Sequence, residues 1–295
     1  IAAGVLLNAA LERRGGMDEA LNFRELKGLS PQDRAFARAV AMAALRRLGE
    51  IDAILDRRLK KGPPLAGRTI LRVALAQTMV LGTPDFAAVS SAVKLAERDV
   101  KTRPYKGLVN AVLRGIGRDG PDKIAAEANL PDWIAARWRA AYGVETLTAL
   151  AEAGRAEPAT DLSLKPGADA PALAEGLEGV VLPGGSVRTS RRGDIAEWPG
   201  FSDGSWWIQD AAAAVPARLL DVKPGETALD MCAAPGGKTL QLAASGAQVT
   251  ALDRSESRLR RLAQNLERTG LTAEATAIPA EEWEDGRTFD AVLLD

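Results

Sequence analysis

The stretch Asp230-Met231-Cys232-Ala233-Ala234-Pro235-Gly236-Gly237-Lys238-Thr239 places a carboxylate, a glycine turn and a lysine between two periodic segments. Before it, Glu226 to Leu229 reads as a short buried strand, and after it Lys238 to Ala244 reads as a helix. Pro235-Gly236-Gly237 lets the backbone turn tightly and approach a ligand, with the amides of the helix N-terminus facing the same place. A second strand, Gln248 to Leu252, leads to Asp253. An acid at the end of the next strand, about twenty residues past a glycine turn, is where doubly wound sheets hold ribose hydroxyls. The stretch therefore predicts an α/β, Rossmann-like domain with a nucleotide-cofactor pocket.

Spacing separates three nucleotide readings of this loop. The dinucleotide fingerprint G-x-G-x-x-G is absent, which removes support for nicotinamide or flavin chemistry. The phosphate loop G-x-x-x-x-G-K-[ST] fails by one position. Gly237, Lys238 and Thr239 fit its tail, but Cys232 stands where its first glycine is required. Ala291 to Asp295 can pose as the apolar strand and acidic end that hold magnesium in an ATPase, so an NTPase stays open as the runner-up. S-adenosylmethionine uses every piece: Lys238 and the loop amides face the methionine carboxylate, and Asp253 faces the ribose.

The same ten residues resemble the cofactor signature of the RNA cytosine-5 methyltransferases of the Nol1/Nop2/Sun group. Gln209-Asp210 upstream, Asp253, Asn265 with Gly270-Leu271, and Phe289 to Asp295 add to the likeness. The resemblance implies an S-adenosylmethionine pocket made by Cys232, Ala233, Ala234, Pro235, Gly236, Gly237, Lys238, Asp253, Arg258, Ala280 and Asp295. It also implies that Asp295 is catalytic, contacting the target base and helping to activate it. In the family pattern two cysteines follow, one in a Pro-Cys pair just after this aspartate. The sequence ends at Asp295, so the methyltransferase domain is expected to be truncated there and the chain alone to transfer no methyl group. Cys232 is expected to be a small packing residue. An acid is usual on the adenine side of the pocket where this chain has Ala280, which leaves Glu281, or packing against Ile278 and Trp283, to take that place.

The chemistry explains why such a family needs these parts. Carbon 5 of cytosine is a poor nucleophile until a thiolate adds at carbon 6 and turns the ring into an enamine. A carboxylate near ring nitrogen 3 stabilises the charge that develops, and a base then removes the carbon 5 proton. The chain has no histidine, the commonest general base, and no metal-ligand motif.

The region before this domain divides into two more. Ser30-Pro31 with Asp33 signals a helix start, and Phe36, Val40, Ala44 and Leu48 repeat on one face. Further stripes at Ile51/Ile54/Leu55, Leu71/Leu75/Met79, Phe86/Val89/Val93 and Leu108/Val112/Ile116 are broken by Gly62-Pro63-Pro64, Gly82-Thr83-Pro84 and Arg103-Pro104. An all-α bundle is predicted. Asp33 to Phe36, Pro84 to Val89 and Gly107 to Arg114 resemble the NusB-type RNA-binding domain, in which a histidine is common where this chain has Phe86. Phe86 is expected to pack in the core. Asp132-Trp133 to Tyr142-Gly143 looks like a bridging helix, and Pro158 to Gly200 alternates short apolar strands with a helical stretch, like a small α+β RNA-recognition-like domain. Trp206-Trp207 is expected to pack, with stacking on a base as the alternative. The predicted domains are 1–125, 126–204 and 205–295.

The net charge of −1 conceals a division. Residues 1–120 hold 21 Lys and Arg against 12 Asp and Glu, and the remainder holds 17 against 27. A basic first part can neutralise RNA phosphates. Arg57, Arg58, Lys60 and Lys61, with Arg188, Arg191 and Arg192, are the candidate RNA contacts, against the plainer alternative of a solvated helix face. Bundle plus methyltransferase points to the branch of the group that acts on small-subunit ribosomal RNA, and a ribosome assembly factor that binds RNA without methyl transfer is the other reading. One cysteine, no leader and no apolar run of about eighteen residues predict a cytoplasmic protein without membrane contact. A monomer is the default.

Overall fold

Ser30 opens its helix as its sequence predicts: its Oγ accepts a hydrogen bond from the Asp33 amide at 3.1 Å, with Pro31 in the first turn. The computed structural model describes residues 1–12, 17, 20 and 24–295. It forms two compact units, Ile1–Glu157 and Pro158–Asp295. The first contains α1 (Ala2–Glu12), α2 (Arg24–Lys27), α3 (Pro31–Arg46), α4 (Leu48–Arg58), α5 (Leu65–Met79), α6 (Asp85–Arg98), α7 (Lys106–Asp119) and α8 (Asp132–Arg155). The proline-bearing breaks fall between these helices, and α8 is interrupted by a non-helical Gly143.

The apolar stripes meet in one core, where Leu6, Val40, Ile51, Leu55 and Leu71 are at most 2 % exposed. Polar side chains fix the helices around it. Asp52 receives both Arg72 (2.8 and 2.6 Å) and Arg68 (3.1 Å), and buried Glu50 receives Arg155 (3.1 Å). At Gly49 the backbone of Ala128 comes so close that a Cβ would lie 1.6 Å from its carbonyl oxygen, which requires glycine there. Two predicted core residues lie outside this core. Phe36 is 53 % exposed and Phe86 79 %. Phe86 stands in the first turn of α6, across a groove from Gly117 and Arg118 of α7, which supply no apolar cover.

The second unit has two sheets. The first is antiparallel in the order β2-β3-β1-β4, from β1 (Thr160–Leu164), β2 (Val180–Val181), β3 (Val187–Thr189) and β4 (Trp206–Ile208), with α9 (Ala170–Gly176) beside it. Strand alternation splits the tryptophan pair. Trp206 joins Leu162, Val187 and Trp198 in one core, whereas Trp207 joins Ala233, Ala234 and Leu240 in another. Both rings are fully buried, so neither is open to stack on a base.

The second sheet is parallel, in the order β7-β6-β5-β8: β5 (Thr227–Asp230), β6 (Gln248–Asp253), β7 (Glu274–Ala277) and β8 (Ala291–Leu293). α10 (Val215–Leu219) precedes it, α11 (Gly237–Ala244) links β5 to β6, and α12 (Glu256–Thr269) links β6 to β7. The order reverses at β5, which puts a ligand crevice at the carboxyl ends of β5, β6 and β8. Lys165 donates to the Thr269 carbonyl at 2.6 Å and Arg268 to the Phe201 carbonyl at 2.9 Å, tying the two sheets together. No helix among the described residues is long and apolar enough to cross a membrane.

Candidate active site

Asp230 ends β5, Asp253 ends β6 and Asp295 lies two residues past β8, so parallel pairing brings three carboxylates to one edge. Between the first two, the loop 231–236 turns through Gly236 at φ +113°, where a Cβ would meet Leu262 at 2.5 Å. A left-handed, tightly covered residue must be glycine. The turn delivers α11 with its N-terminus toward the crevice, as the sequence predicts.

The crevice encloses about 650 Å³. Of the predicted cofactor residues, Cys232, Ala233, Ala234, Pro235, Gly237, Lys238, Asp253, Arg258, Ala280 and Asp295 line it. Gly236 does not; it is buried beneath Leu262 and shapes the wall. Cys232 is exposed to the crevice, which corrects its expected packing role: the strand has ended and the chain is already turning outward. Trp283 faces Phe289 (5.9 Å between centroids) and Arg287, and Pro279, Ala280 and Glu281 form the wall in its place.

Asp253 is 4 % exposed and held from two sides. Its Oδ2 accepts from the Ala234 amide at 3.2 Å, its Oδ1 from the Ser255 amide at 2.8 Å, and Arg258 lies 3.5 Å away. Arg258 also donates to the Ala234 carbonyl. Lys238 donates to Asp295 Oδ2 at 2.5 Å, so the two residues assigned to different ligand groups face each other. Gln209 and Asp210 line the crevice too, although the sequence marks them only as flanking likeness. Gln209 accepts from Trp207 Nε1 (2.9 Å) and donates to Gln241 (2.6 Å), which donates to the Ala214 carbonyl (3.1 Å). The signal for this chain of contacts is a polar pair directly after a buried strand.

Asp230 is 2 % exposed and accepts from Thr239 Oγ1 at 2.7 Å. Burial raises its carboxyl above the usual carboxylate range, against the hydrogen bonds of Thr239 and the Cys232 amide and the charge of Lys238. The folded state thus holds this proton more tightly than the unfolded state. Stability falls as pH climbs from the ordinary carboxyl value through the raised one. Urea unfolding between about pH 4 and 7 should show wild type losing stability relative to Asp230→Asn as pH rises; parallel curves would contradict this.

The candidate RNA contacts are used unequally. Arg58 pairs with Asp119 (2.9 Å) and Asp122 (3.2 Å), and Arg57 approaches Asp122 at 4.0 Å, whereas Lys60 and Lys61 are exposed. Arg188 closes on buried Asp161 through two bonds of 2.6 and 2.7 Å, which hold that carboxyl below its usual range. Arg191 donates to the Gly176 carbonyl at 3.0 Å, and Arg192 is exposed. Arg58 and Arg188 therefore act first as internal ties.

Comparison with known proteins agrees with this architecture. Residues 1–118 match the NusB family and residues 217–295 the 16S rRNA methyltransferase RsmB/F family. The ribosomal RNA small subunit methyltransferase B of Xanthomonas campestris is 33% identical over the whole chain, which spans 71% of that protein. That of Pseudomonas syringae is 32% identical, with 70% of its length spanned. The crystal structure of PH0851 shares the fold, with a TM-score of 0.67 at 20% identity over 95% of this chain and 70% of that one. A NusB-type helical unit followed in sequence by this parallel-sheet crevice, with relatives that match over the whole of this chain, places the chain in the ribosomal RNA small subunit methyltransferase B family.

Proposed function

We propose that the crevice binds S-adenosylmethionine and serves methylation of carbon 5 of a cytosine in small-subunit ribosomal RNA. The observation that carries the cofactor assignment is the charge of the wall. Asp210, Asp230, Asp253, Glu281 and Asp295 face Lys238, Arg254 and Arg258. Lys238 is already paired with Asp295, and Arg258 leans on Asp253. Such a surface repels a triphosphate and suits a ligand with a positive sulfonium. The volume suits a nucleoside-sized ligand, and the bare Gly237 leaves room where a Cβ would crowd Gln209 at 3.2 Å.

In this reading Asp253 accepts the ribose hydroxyls, held ready by the Ala234 and Ser255 amides. The loop amides and Lys238 receive the methionine carboxylate, and Pro279 to Glu281 border the adenine. The cofactor, when bound, supplies an electrophilic methyl group. In the same reading Asp295, which also lines the crevice, meets the base and steadies charge at its ring nitrogen 3. The thiolate that activates the cytosine is assigned by the family likeness to positions after Asp295. Cys232 stands in the cofactor loop itself. The protein acts as a monomer in the cytoplasm, where ribosomal RNA is available.

Bisulfite sequencing of small-subunit ribosomal RNA from cells with and without the gene tests this reading. One cytosine should lose its protection when the gene is deleted. An unchanged pattern would contradict the assignment of base and substrate, and would favour a factor that binds RNA without modifying it.

A further inference from the structure

Gln209 lines the crevice, and its side-chain amide is fixed from both ends. Trp207 Nε1 can only donate, so Gln209 turns its Oε1 toward that indole (2.9 Å) and its Nε2 toward Gln241 Oε1 (2.6 Å). The Ala214 carbonyl can only accept, so Gln241 points its Nε2 there (3.1 Å) and its Oε1 at Gln209. A pure donor at one end and a pure acceptor at the other leave one consistent arrangement of both amides. Gln209 Nε2 carries a second N–H, which has no partner among the described residues. The side chain is 7 % exposed, and its Cδ and Nε2 lie 3.2 and 3.3 Å from the place that a Cβ on Gly237 would occupy. The spare donor therefore sits at the first residue of α11, directly before Lys238. Trp207 and Gln241 do not line the crevice; both border a separate cavity of about 350 Å³.

We propose that Gln209 donates this second N–H to the carboxylate of the bound methyl donor, and that Gln241 is the positioning residue that aims it. The inference rests on the S-adenosylmethionine reading above and deepens it. The charge of the wall favours it. Lys238, the cation assigned to that carboxylate, is already paired with Asp295, and Asp210, Asp230, Asp253 and Glu281 border the same space. A neutral amide adds a bond to the carboxylate where cations are largely matched by acids. Asp210, next along the chain, accepts from the Ala212 and Ala213 amides at 2.9 and 3.0 Å, so its carboxylate is held back on its own loop. A buried donor aimed at a carboxylate also selects. A ligand without that group leaves the N–H dry and unpaired, which costs binding. Gln209 thus reads the amino-acid end of the donor, and Gln241 acts on that end from outside the crevice.

Calorimetric titration of the 295-residue protein with S-adenosylmethionine and with decarboxylated S-adenosylmethionine, which keeps the adenosine, the sulfonium and the amine, tests this. Wild type should prefer S-adenosylmethionine by about tenfold or more. Gln209→Glu keeps the acceptor that Trp207 needs but puts an acceptor where the donor was. It should weaken S-adenosylmethionine binding by about tenfold or more and spare the analogue. Gln241→Leu should weaken S-adenosylmethionine by about threefold or more, again with the analogue spared. The ratio of the two affinities within one preparation cancels any loss of folded protein, so a destabilised variant still gives an answer. Variants that keep the wild-type ratio, whether by weakening both ligands alike or by weakening neither, would overturn the inference and leave the cofactor reading intact. A wild type that binds both ligands equally well would do the same. A wild type that binds neither would overturn both.

Discussion

Asp253→Ala should weaken S-adenosylmethionine binding by about 10- to 150-fold, the loss expected when a buried carboxylate no longer accepts bonds from a ligand. The residue is well placed for this effect. It closes β6, it is almost inaccessible to bulk water, and two backbone amides orient its oxygens toward the crevice. Its removal also frees the Ala234 amide and Arg258, so the loop proposed to receive the methionine end loses a support. Asp253→Asn separates the two contributions, because the amide oxygen can still accept from the loop while the charge is gone. Calorimetric titration should rank wild type, Asn and Ala in falling affinity. Equal affinity for all three would remove the ribose assignment.

Trp206→Ala should cost about 3 to 5 kcal/mol of stability in the second unit, the range for emptying a buried tryptophan site. The ring is 0 % exposed, lies 5.5 Å from Phe201 and 6.2 Å from Trp198, and donates to the Pro199 carbonyl at 2.7 Å. The same strand carries Trp207 and leads into Gln209, which lines the crevice. Loosening β4 should therefore weaken the cofactor site at a distance, visible as lower S-adenosylmethionine affinity in protein that still folds. Urea unfolding followed by tryptophan fluorescence gives the stability term. A loss below about 1 kcal/mol would show that the pair does not anchor the small sheet.

The parts of the fold that local sequence controls are legible in the amino-acid order itself. Pro235 to Gly237 demands a turn, the apolar runs on either side demand a strand and a helix, and an acid ending the next strand falls beside that turn because parallel strands share a direction. Ser30, Pro31 and Asp33 set a helix start by contacts within one turn. Periodicity shows which face of a helix is apolar, but not whether a neighbour covers it. Phe36 and Phe86 lie on their stripes and yet meet solvent; at Phe86 the facing helix presents glycine and arginine.

Partners distant in sequence are equally hidden. Arg188 reads as a free cation until β3 pairs with β1 and sets it beside Asp161, and Lys238 meets Asp295 only once β8 joins β5. Cys232 illustrates a third limit. A small residue just past a buried strand reads as packing, whereas the loop has already turned it toward the crevice.

The glycine turn and its flanking acids are proposed to hold a sulfonium methyl donor. Separate calorimetric titrations of the wild-type protein with S-adenosylmethionine and with ATP plus magnesium measure this directly. The expected result is one-site binding of S-adenosylmethionine with a Kd of about 1 to 100 μM and no heat from the nucleotide. Saturable binding of magnesium ATP, with none of S-adenosylmethionine, would show that the turn serves a nucleoside triphosphate instead.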